Sequence, residues 1–248
     1  MKRNIRLLIE YDGANYRGWQ KQGKSSGADT IQGRLEQVLS KMTGEEIQLI
    51  GSGRTDAGVH ALGQVANFHT DCSHSCDEMK QYLIAHLPSD IGVLKVSEAG
   101  ERFHSRLNAA EKTYRYRIAV PGTSHAFERT YLWYFPEPLN LQKMRQAASY
   151  LIGTHDFKGF SSIKKTKKST IREIHAIDIK QKNGEIQITF TGNGFLHNMV
   201  RIMTGTLAEI GCGKKKPEDI FTVLRSKDRQ DAGMTAPPQG LFLVSVRY

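Results

Sequence analysis

A glycine-rich stretch at residues 51–61, GSGRTDAGVHA, holds the side chains of this sequence that are best suited to do chemistry. Its three glycines let the backbone turn where a side chain would clash. The stretch carries the Asp56 carboxylate, the Arg54 guanidinium and the His60 imidazole. A nearby guanidinium favours the ionised carboxylate, which can act as a nucleophile. The alternative interpretation is a polar connection in which Asp56 only caps the next element.

The composition sets broad limits on what the chain can be. The 248 residues are 39% hydrophobic and 24% charged, as in a folded protein. No apolar run is long enough to cross a bilayer, and the first residues lack a signal-peptide core. Three cysteines, an odd number, argue against a disulfide framework and for a reducing compartment. We therefore expect a cytoplasmic protein without a membrane segment.

The charge balance is strongly basic. Lys and Arg outnumber Asp and Glu by 35 to 25, which gives a formal charge of +10 and favours polyanionic partners such as RNA, DNA or acidic lipid. A dense basic run contains Lys164, Lys165, Lys167 and Lys168. Such a run suits salt-sensitive contacts to phosphates. A second cluster, residues 214–216, suits either phosphates or the C-terminus of a helix.

Hydrophobic periodicity predicts a β-α-β-β-α-β order in the first half of the chain. The predicted elements are strand 3–11, a helix capped by Thr30 and ended by Gly44, strands 47–51 and 64–69, a helix capped by Asp77, and strand 91–96. This order is the split βαβ arrangement, with helices on one face of an antiparallel sheet. The glycine-rich stretch then connects the second and third strands.

The second half is predicted to repeat this order. Its elements are strand 111–120, a helix capped by Asn140, a hairpin of strands 171–181 and 185–191 around Asn183-Gly184, helix 196–210, a short helix after Pro217, and strand 241–247. No residue-level repeat is visible, so the duplication is inferred from element order alone. We predict two related α+β halves, residues 1–107 and 108–248.

Two further patterns are weaker. The segment 69–76, H-x2-C-x-H-x-C, crowds four potential metal ligands into eight residues, unlike structural zinc sites, so we expect a solvated loop and no metal. Gly192-Asn193-Gly194 resembles the start of a dinucleotide fingerprint, but His197 stands where the third glycine belongs. Arg201 follows one turn beyond His197 on the same helix face. It is either an exposed helix residue or a cleft residue that needs an anionic partner.

Tyr114 combines two features that suit nucleic acid. It lies on a predicted strand between Lys112 and Arg115, so a ring for stacking and charges for phosphates occur together. The alternative is that this aromatic ring only packs against its neighbours in the sheet.

Five motifs, in order, resemble the TruA family of tRNA pseudouridine synthases. They are GRTDAGVHA at 53–61, KTYRY at 112–116, GTHDF at 153–157, NGFLHNMVR at 193–201 and GLFL at 240–243. The first is long and specific, and the others gain weight from their order. The resemblance covers essentially the whole chain, although Phe242 replaces a more usual Tyr and the Cys72–Cys76 segment has no counterpart.

The resemblance implies a role for each candidate site residue. Asp56 would be the catalytic residue, and Arg54 would lie beside the RNA backbone and the flipped nucleotide. Tyr114 would pack on the target base, Arg201 would pair with the catalytic carboxylate, and Leu241 would line the pocket.

The resemblance also implies a fold, a substrate and an assembly. The fold is α+β, with two RRM-like or ferredoxin-like halves whose antiparallel sheets join across a central cleft. Family members are homodimers that modify uridines 38, 39 and 40 in the tRNA anticodon arm with no cofactor or metal. Two alternatives stay open, a non-catalytic RNA-binding module and a nucleotide-dependent enzyme using Gly192–Gly194. The intact Arg54-Thr55-Asp56 favours the synthase, because a binder has no need of that carboxylate.

Overall fold

The structure of this protein is a computed structural model that describes residues 2–21, 29–123, 126–164 and 167–248. The chain forms two compact units. Unit 1 consists of Met1–Ala110 and Phe242–Tyr248, and unit 2 of Glu111–Leu241. The sequence places residues 242–248 in the second half, whereas here they belong to unit 1, where their strand pairs with a strand of that unit.

Unit 1 is built on one sheet and two helices. Its strands are β1 (Arg3–Tyr11), β2 (Ile50–Gly51), β3 (His60–Thr70), β4 (Ile91–Ala99) and β10 (Leu241–Arg247), and its helices are α1 (Ile31–Thr43) and α2 (Cys76–His86). The strand order is β4-β1-β3-β10, with β2 also on β3. All these pairs are antiparallel except β10 with β3. Alternate residues Ile5, Leu7 and Ile9 of β1 are fully buried, which gives the sheet its apolar face.

Local signals set the ends of the unit 1 helices. The Thr30 hydroxyl accepts the Gly33 N–H, and Gly44 ends α1 at a φ of 72°, as predicted. The predicted cap of α2 at Asp77 is wrong, because Ser75 caps this helix. Ser75 and Glu78 form a reciprocal capping box, and these hydrogen bonds lower the pKa of the Glu78 carboxyl.

Unit 2 is also a sheet with helices. Its strands are β5 (Glu111–Ala119), β6 (Trp133–Tyr134), β7 (Gly153–Asp156), β8 (Ile171–Lys182) and β9 (Glu185–Gly192), and its helices are α3 (Leu141–Ser149), α4 (Met199–Gly211) and α5 (Asp219–Ser226). The order β5-β9-β8-β7 is antiparallel throughout, and β6 runs parallel to β5. Asn183 and Gly184 both have positive φ, which confirms the predicted hairpin turn.

Both units are α+β, which confirms the predicted class. Helix α4 is buried along most of its length, and it begins at Met199 rather than at the predicted Leu196. Asn140 caps α3 as predicted. Among the described residues, no helix has both the length and the apolar character needed to span a membrane.

Candidate active site

Asp56 lies in the loop between β2 and β3. Hydrogen bonds join the part of this loop that precedes Asp56 to strand β3. The Ser52 N–H donates to the Val65 oxygen at 2.8 Å, and the Ser52 hydroxyl donates to the Gln64 amide oxygen at 2.6 Å. The Gln64 amide nitrogen in turn donates to the Gly53 oxygen at 3.1 Å. Strand β3 therefore fixes the path of the chain before it reaches Asp56.

The backbone immediately around Asp56 is also fixed. The Tyr11 and Thr55 hydroxyl oxygens are 2.8 Å apart, and burial raises the pKa of the Tyr11 hydroxyl, so it stays protonated. The Trp19 N–H donates to the Thr55 oxygen at 3.1 Å, and the Val59 N–H donates to the Asp56 oxygen at 3.2 Å. Asp56 itself is half-buried. A rigid turn thus carries a carboxylate that is partly open to solvent.

Two glycines outside the loop allow another chain segment to approach it closely. Gly18 has a φ of +91°, and a Cβ placed there would lie 2.5 Å from the Thr55 oxygen. A Cβ on Gly13 would lie 2.0 Å from the Val59 oxygen. Gly13 and Gly18 therefore have to be glycine for the loop to pack as it does, and no sequence pattern identifies them.

His60 supports this loop from within the core. Its side chain is 2% exposed, and its Nδ1 accepts the Gly13 N–H at 3.0 Å. Its ring stacks on Phe242, with centroids 4.8 Å apart. The residue that the sequence groups with Asp56 as a reactive side chain therefore packs against β10.

Arg54 points its side chain away from the core and is exposed. Its Nε donates to the Gln20 amide oxygen at 3.1 Å. Arg54 and Asp56 thus share one loop of unit 1, and the guanidinium has a defined orientation. Sequence reasoning misses Gln20, because it shares no recognisable spacing with the loop.

The other three candidate residues are Tyr114, Arg201 and Leu241. Tyr114 and Arg201 lie within unit 2, and Leu241 is the last residue of unit 2, although strand β10 begins with it and continues into unit 1. Arg201 is half-buried in the first turn of α4, so the alternative of a freely exposed helix arginine is wrong. Its Nε donates to the Ala236 oxygen at 2.7 Å, and its Nη1 donates to the Asn198 side-chain oxygen at 2.8 Å. The Ala236 N–H donates back to the Arg201 oxygen at 3.1 Å. Main chain and side chain therefore fix Arg201 together.

Tyr114 and Leu241 are both largely buried, at 8% and 6% exposure. Phe195 meets Tyr114 edge to face, with centroids 5.1 Å apart. Tyr116, on the same face of β5, donates its hydroxyl to the Pro237 oxygen at 2.6 Å. Burial raises the pKa of the Tyr116 hydroxyl, although the Arg201 charge opposes this. Tyr116 thereby holds the segment that follows Ala236, a role that sequence reasoning misses.

The basic run is anchored on both sides. Lys164, Lys167 and Lys168 are exposed, whereas Lys165 lies outside the described residues. Before the run, the Ser162 N–H donates to the His197 oxygen at 3.1 Å. After it, the Thr170 hydroxyl donates to the Asp156 carboxylate at 2.6 Å. The first hydrogen bond joins the run to the segment that leads into α4, and the second joins it to the end of β7.

The Gly192–Gly194 segment closes onto β8. Asn193 and Glu173 exchange two hydrogen bonds of 3.0 and 3.1 Å, and a Cβ on Gly192 would lie 2.5 Å from the Glu173 oxygen. The glycine therefore serves a close approach of main chains. Where the chain is described, no group of three or more His, Cys, Asp or Glu side chains is arranged to hold a metal ion. In the Cys72–Cys76 segment, the Cys72 and His74 oxygens both accept from Arg3.

A carboxylate on a rigid, partly exposed loop, in a protein with an exposed lysine run, fits the class of enzymes that act on a polyanion. A family model described as tRNA pseudouridine synthase matches residues 7–108 and 147–248. The chain therefore belongs to the tRNA pseudouridine synthase family and is an isomerase. This confirms the resemblance that the sequence motifs indicated.

Individual relatives agree over their whole length. A tRNA pseudouridine synthase A 1 of Clostridium tetani (strain Massachusetts / E88) is 50% identical over 246 residues, 99% of this chain and 100% of the relative. A tRNA pseudouridine synthase A of Bacillus sp. (strain KSM-64) is 48% identical over 245 residues, 99% of each chain. One of Thermoanaerobacter sp. (strain X514) is 45% identical over 246 residues, 99% of this chain and 100% of the relative.

Proposed function

We propose that this isomerase converts uridine to pseudouridine at positions 38, 39 and 40 of the tRNA anticodon stem-loop, with Asp56 as the nucleophile. The observation that carries the proposal is the fixed backbone around Asp56. The Trp19 N–H holds the Thr55 oxygen and the Val59 N–H holds the Asp56 oxygen, while the carboxylate stays partly exposed. Because the main chain that carries the carboxylate is fixed, less freedom is lost when the side chain attacks, which favours the reaction.

The chemistry suits the side chains that are present. Pseudouridine formation breaks an N-glycosidic bond, turns the uracil within the site and rejoins it through carbon, so no electron or external group is transferred. Asp56 attacks either the base ring or the sugar, and it is released as carbon 5 of the uracil bonds to the sugar or just afterwards. Carbon 5 loses its proton and the former glycosidic nitrogen gains one, so the atoms of substrate and product balance. No cofactor or metal is proposed.

The substrate uridine must leave the base stack before it can react. Extruding a base costs about a few kcal/mol, which contacts to the flipped nucleotide must offset. Tyr114 is proposed to pack on the target base, and Leu241 to line its pocket. Arg54 and Arg201 are proposed to bind the negatively charged substrate, since guanidinium groups suit phosphate.

The lysines of the basic run are proposed to bind the RNA backbone. Lys164, Lys167 and Lys168 are exposed in a protein of formal charge +10, and Lys165 is assigned to the same run. Phosphate contacts of this type supply affinity without reading sequence. We also propose that the enzyme acts in the cytoplasm and that it is a homodimer. Sedimentation equilibrium of the purified protein tests the oligomeric state.

The experiment is to incubate purified protein with tRNA, without added nucleotide or metal, and to map pseudouridines. We expect modification at positions 38, 39 and 40, and its loss in Asp56→Asn, because an amide cannot replace the carboxylate nucleophile. The expected loss in rate is at least about 10³-fold. The tRNA affinity of Asp56→Asn should stay near that of the wild type.

The matched control is Asp71→Asn, which removes an exposed carboxylate of the same unit and should leave the rate unchanged. A normal rate in Asp56→Asn would contradict the mechanism. If the wild type bound tRNA but formed no pseudouridine, the non-catalytic RNA-binding module would be correct. A requirement for added nucleotide would instead favour the nucleotide-dependent enzyme.

A further inference from the structure

A chain of hydrogen bonds leads from Arg54 into the core of unit 1. Arg54 Nε donates to Gln20 Oε1 at 3.1 Å, Gln20 Nε2 donates to Gln32 Oε1 at 2.8 Å, and Gln32 Nε2 donates to Glu36 Oε1 at 2.9 Å. We name these four side chains the Gln20 relay. It joins an exposed guanidinium to a buried carboxylate through two amides.

The inner end of the Gln20 relay is held firmly. Gln32 is 9% exposed and Glu36 is 8% exposed. Both bond to Leu49, since Gln32 Nε2 donates to its oxygen at 3.0 Å and its N–H donates to Glu36 Oε1 at 2.9 Å. The Lys21 ammonium lies 3.4 Å from the other Glu36 oxygen. A buried carboxylate with hydrogen bonds from Gln32 and Leu49 and an ion pair with Lys21 is fixed in place.

The chemistry at the two ends fixes the direction of the relay. A guanidinium can only donate hydrogen bonds and a carboxylate can only accept them. Gln20 must therefore present its oxygen to Arg54, and Gln32 must present its nitrogen to Glu36. Both amides then point the same way, and opposite charges at the ends polarise each bond in the same sense.

We propose that Gln20 is a positioning residue, and that Glu36, acting through Gln32 and Gln20, holds the Arg54 guanidinium ready for RNA. This rests on the proposed function, in which Arg54 contacts the substrate. An exposed arginine otherwise loses side-chain freedom when it binds a phosphate. The Gln20 relay removes that freedom during folding, so tRNA binding is stronger than the Arg54 charge alone would give.

The first test is Gln20→Leu, which keeps the bulk of the side chain and removes both of its hydrogen bonds. We expect the Kd and the KM for tRNA to rise about 2- to 10-fold, the cost of ordering one long side chain on binding, with kcat little changed. The matched control is Gln37→Leu, which replaces an exposed glutamine of α1, the helix that carries Gln32 and Glu36. It should leave the Kd, the KM and kcat unchanged.

The decisive measurement is a double-mutant cycle with Arg54→Ala. If Gln20 acts through Arg54, then Gln20→Leu should have no further effect on the Kd once Arg54 is removed. Equal effects of Gln20→Leu with and without Arg54 would overturn the proposal. Circular dichroism and thermal unfolding check that each variant folds.

Glu36→Gln tests the buried end and serves as the second variant if Gln20→Leu does not fold. It keeps an oxygen for Gln32 and for the Leu49 N–H but removes the charge, so we expect a smaller rise in the Kd that also disappears in Arg54→Ala. A rise that persisted there would overturn the proposal. Repeating the binding cycle in Asp56→Asn separates the two proposals, because affinity is then measured without catalysis. If the wild-type protein did not bind tRNA at all, the proposed function would be rejected instead.

Discussion

Each unit holds one candidate arginine, and the two side chains are held by different kinds of hydrogen-bond acceptor. In unit 2, the Arg201 side chain bonds to the Ala236 oxygen and to Asn198, a near neighbour in sequence. In unit 1, Arg54 is exposed and its guanidinium donates to one amide, which belongs to the Gln20 relay. Arg201 thus uses one main-chain acceptor and one side-chain acceptor, whereas the Arg54 hydrogen bond goes to a side chain.

This difference decides which substitutions can disturb each arginine. The Ala236 carbonyl is present whatever side chain stands at that position, so a substitution at Asn198 would remove only one of these two Arg201 hydrogen bonds. The orientation of Arg54, by contrast, can be disturbed by substituting Gln20, Gln32 or Glu36. The Arg201 side chain is therefore held rigidly, whereas the conformational freedom of the Arg54 side chain can be altered by substitutions in the core of unit 1.

The largest contrast is expected from replacing each arginine by lysine. At Arg201, an ammonium cannot reproduce bonds from two different guanidinium nitrogens, so we expect kcat/KM to fall about 10²-fold or more. At Arg54, lysine keeps the charge that attracts phosphate, so we expect a fall of less than about 10-fold. Steady-state kinetics on tRNA measures both. A larger loss from Arg54→Lys than from Arg201→Lys would reverse the comparison.

A second contrast concerns backbone rather than side chains. Gly18→Ala places a Cβ 2.5 Å from the Thr55 oxygen at a φ of +91°. We expect the free energy of unfolding to fall by about 1–3 kcal/mol. Because Thr55 precedes Asp56, kcat should fall as well. Urea unfolding and kinetics on tRNA measure the two effects.

The control for Gly18→Ala lies in unit 2. Gly122 has a similar φ of +84°, but a Cβ there would have no atom of the described residues within 4 Å. Gly122→Ala therefore carries only the strain of the left-handed backbone, about 1 kcal/mol, and should leave kcat unchanged. Equal losses of kcat in the two variants would show that the approach of Gly18 to the loop has no role in catalysis.

Local signals explain what could be predicted from the sequence. Thr30, Gly44, Asn140 and Asn183-Gly184 each act within a few residues, and the structure confirms the ends or turns that they predict. Ser75 is a signal of the same kind, since Glu78 three residues later completes a capping box. The predicted cap, Asp77, lies inside the first turn of that helix instead.

Non-local pairing explains most of what the sequence does not predict. Strands β6 and β7 are two and four residues long and have little periodicity of their own. Gln20 is separated from Arg54 by 34 positions. His60 resembles a reactive residue because it lies near Asp56, whereas its burial and its stacking on Phe242 from the other end of the chain show a packing role. Such partners carry no fixed spacing.

The smallest effects are expected from the exposed lysines of unit 2. Neutralising Lys167 or Lys168 to Gln should each raise the Kd for tRNA only about two- to threefold at moderate salt. The slope of log Kd against log salt should fall by roughly 0.7–0.9 for each phosphate that the lysine no longer neutralises. Filter binding at several salt concentrations measures both quantities.

A lysine binds phosphate through its charge rather than through a fixed arrangement of donors, so Lys167→Arg and Lys168→Arg should keep both the affinity and the salt slope. This is the opposite of the behaviour expected at Arg201, where the arrangement of donors decides the outcome. Lys214→Gln is the matched control, because Lys214 belongs to the other basic cluster of the same unit, residues 214–216. A slope that fell in the control, and stayed constant when Lys167 and Lys168 were neutralised, would place the RNA on the surface around Lys214 instead.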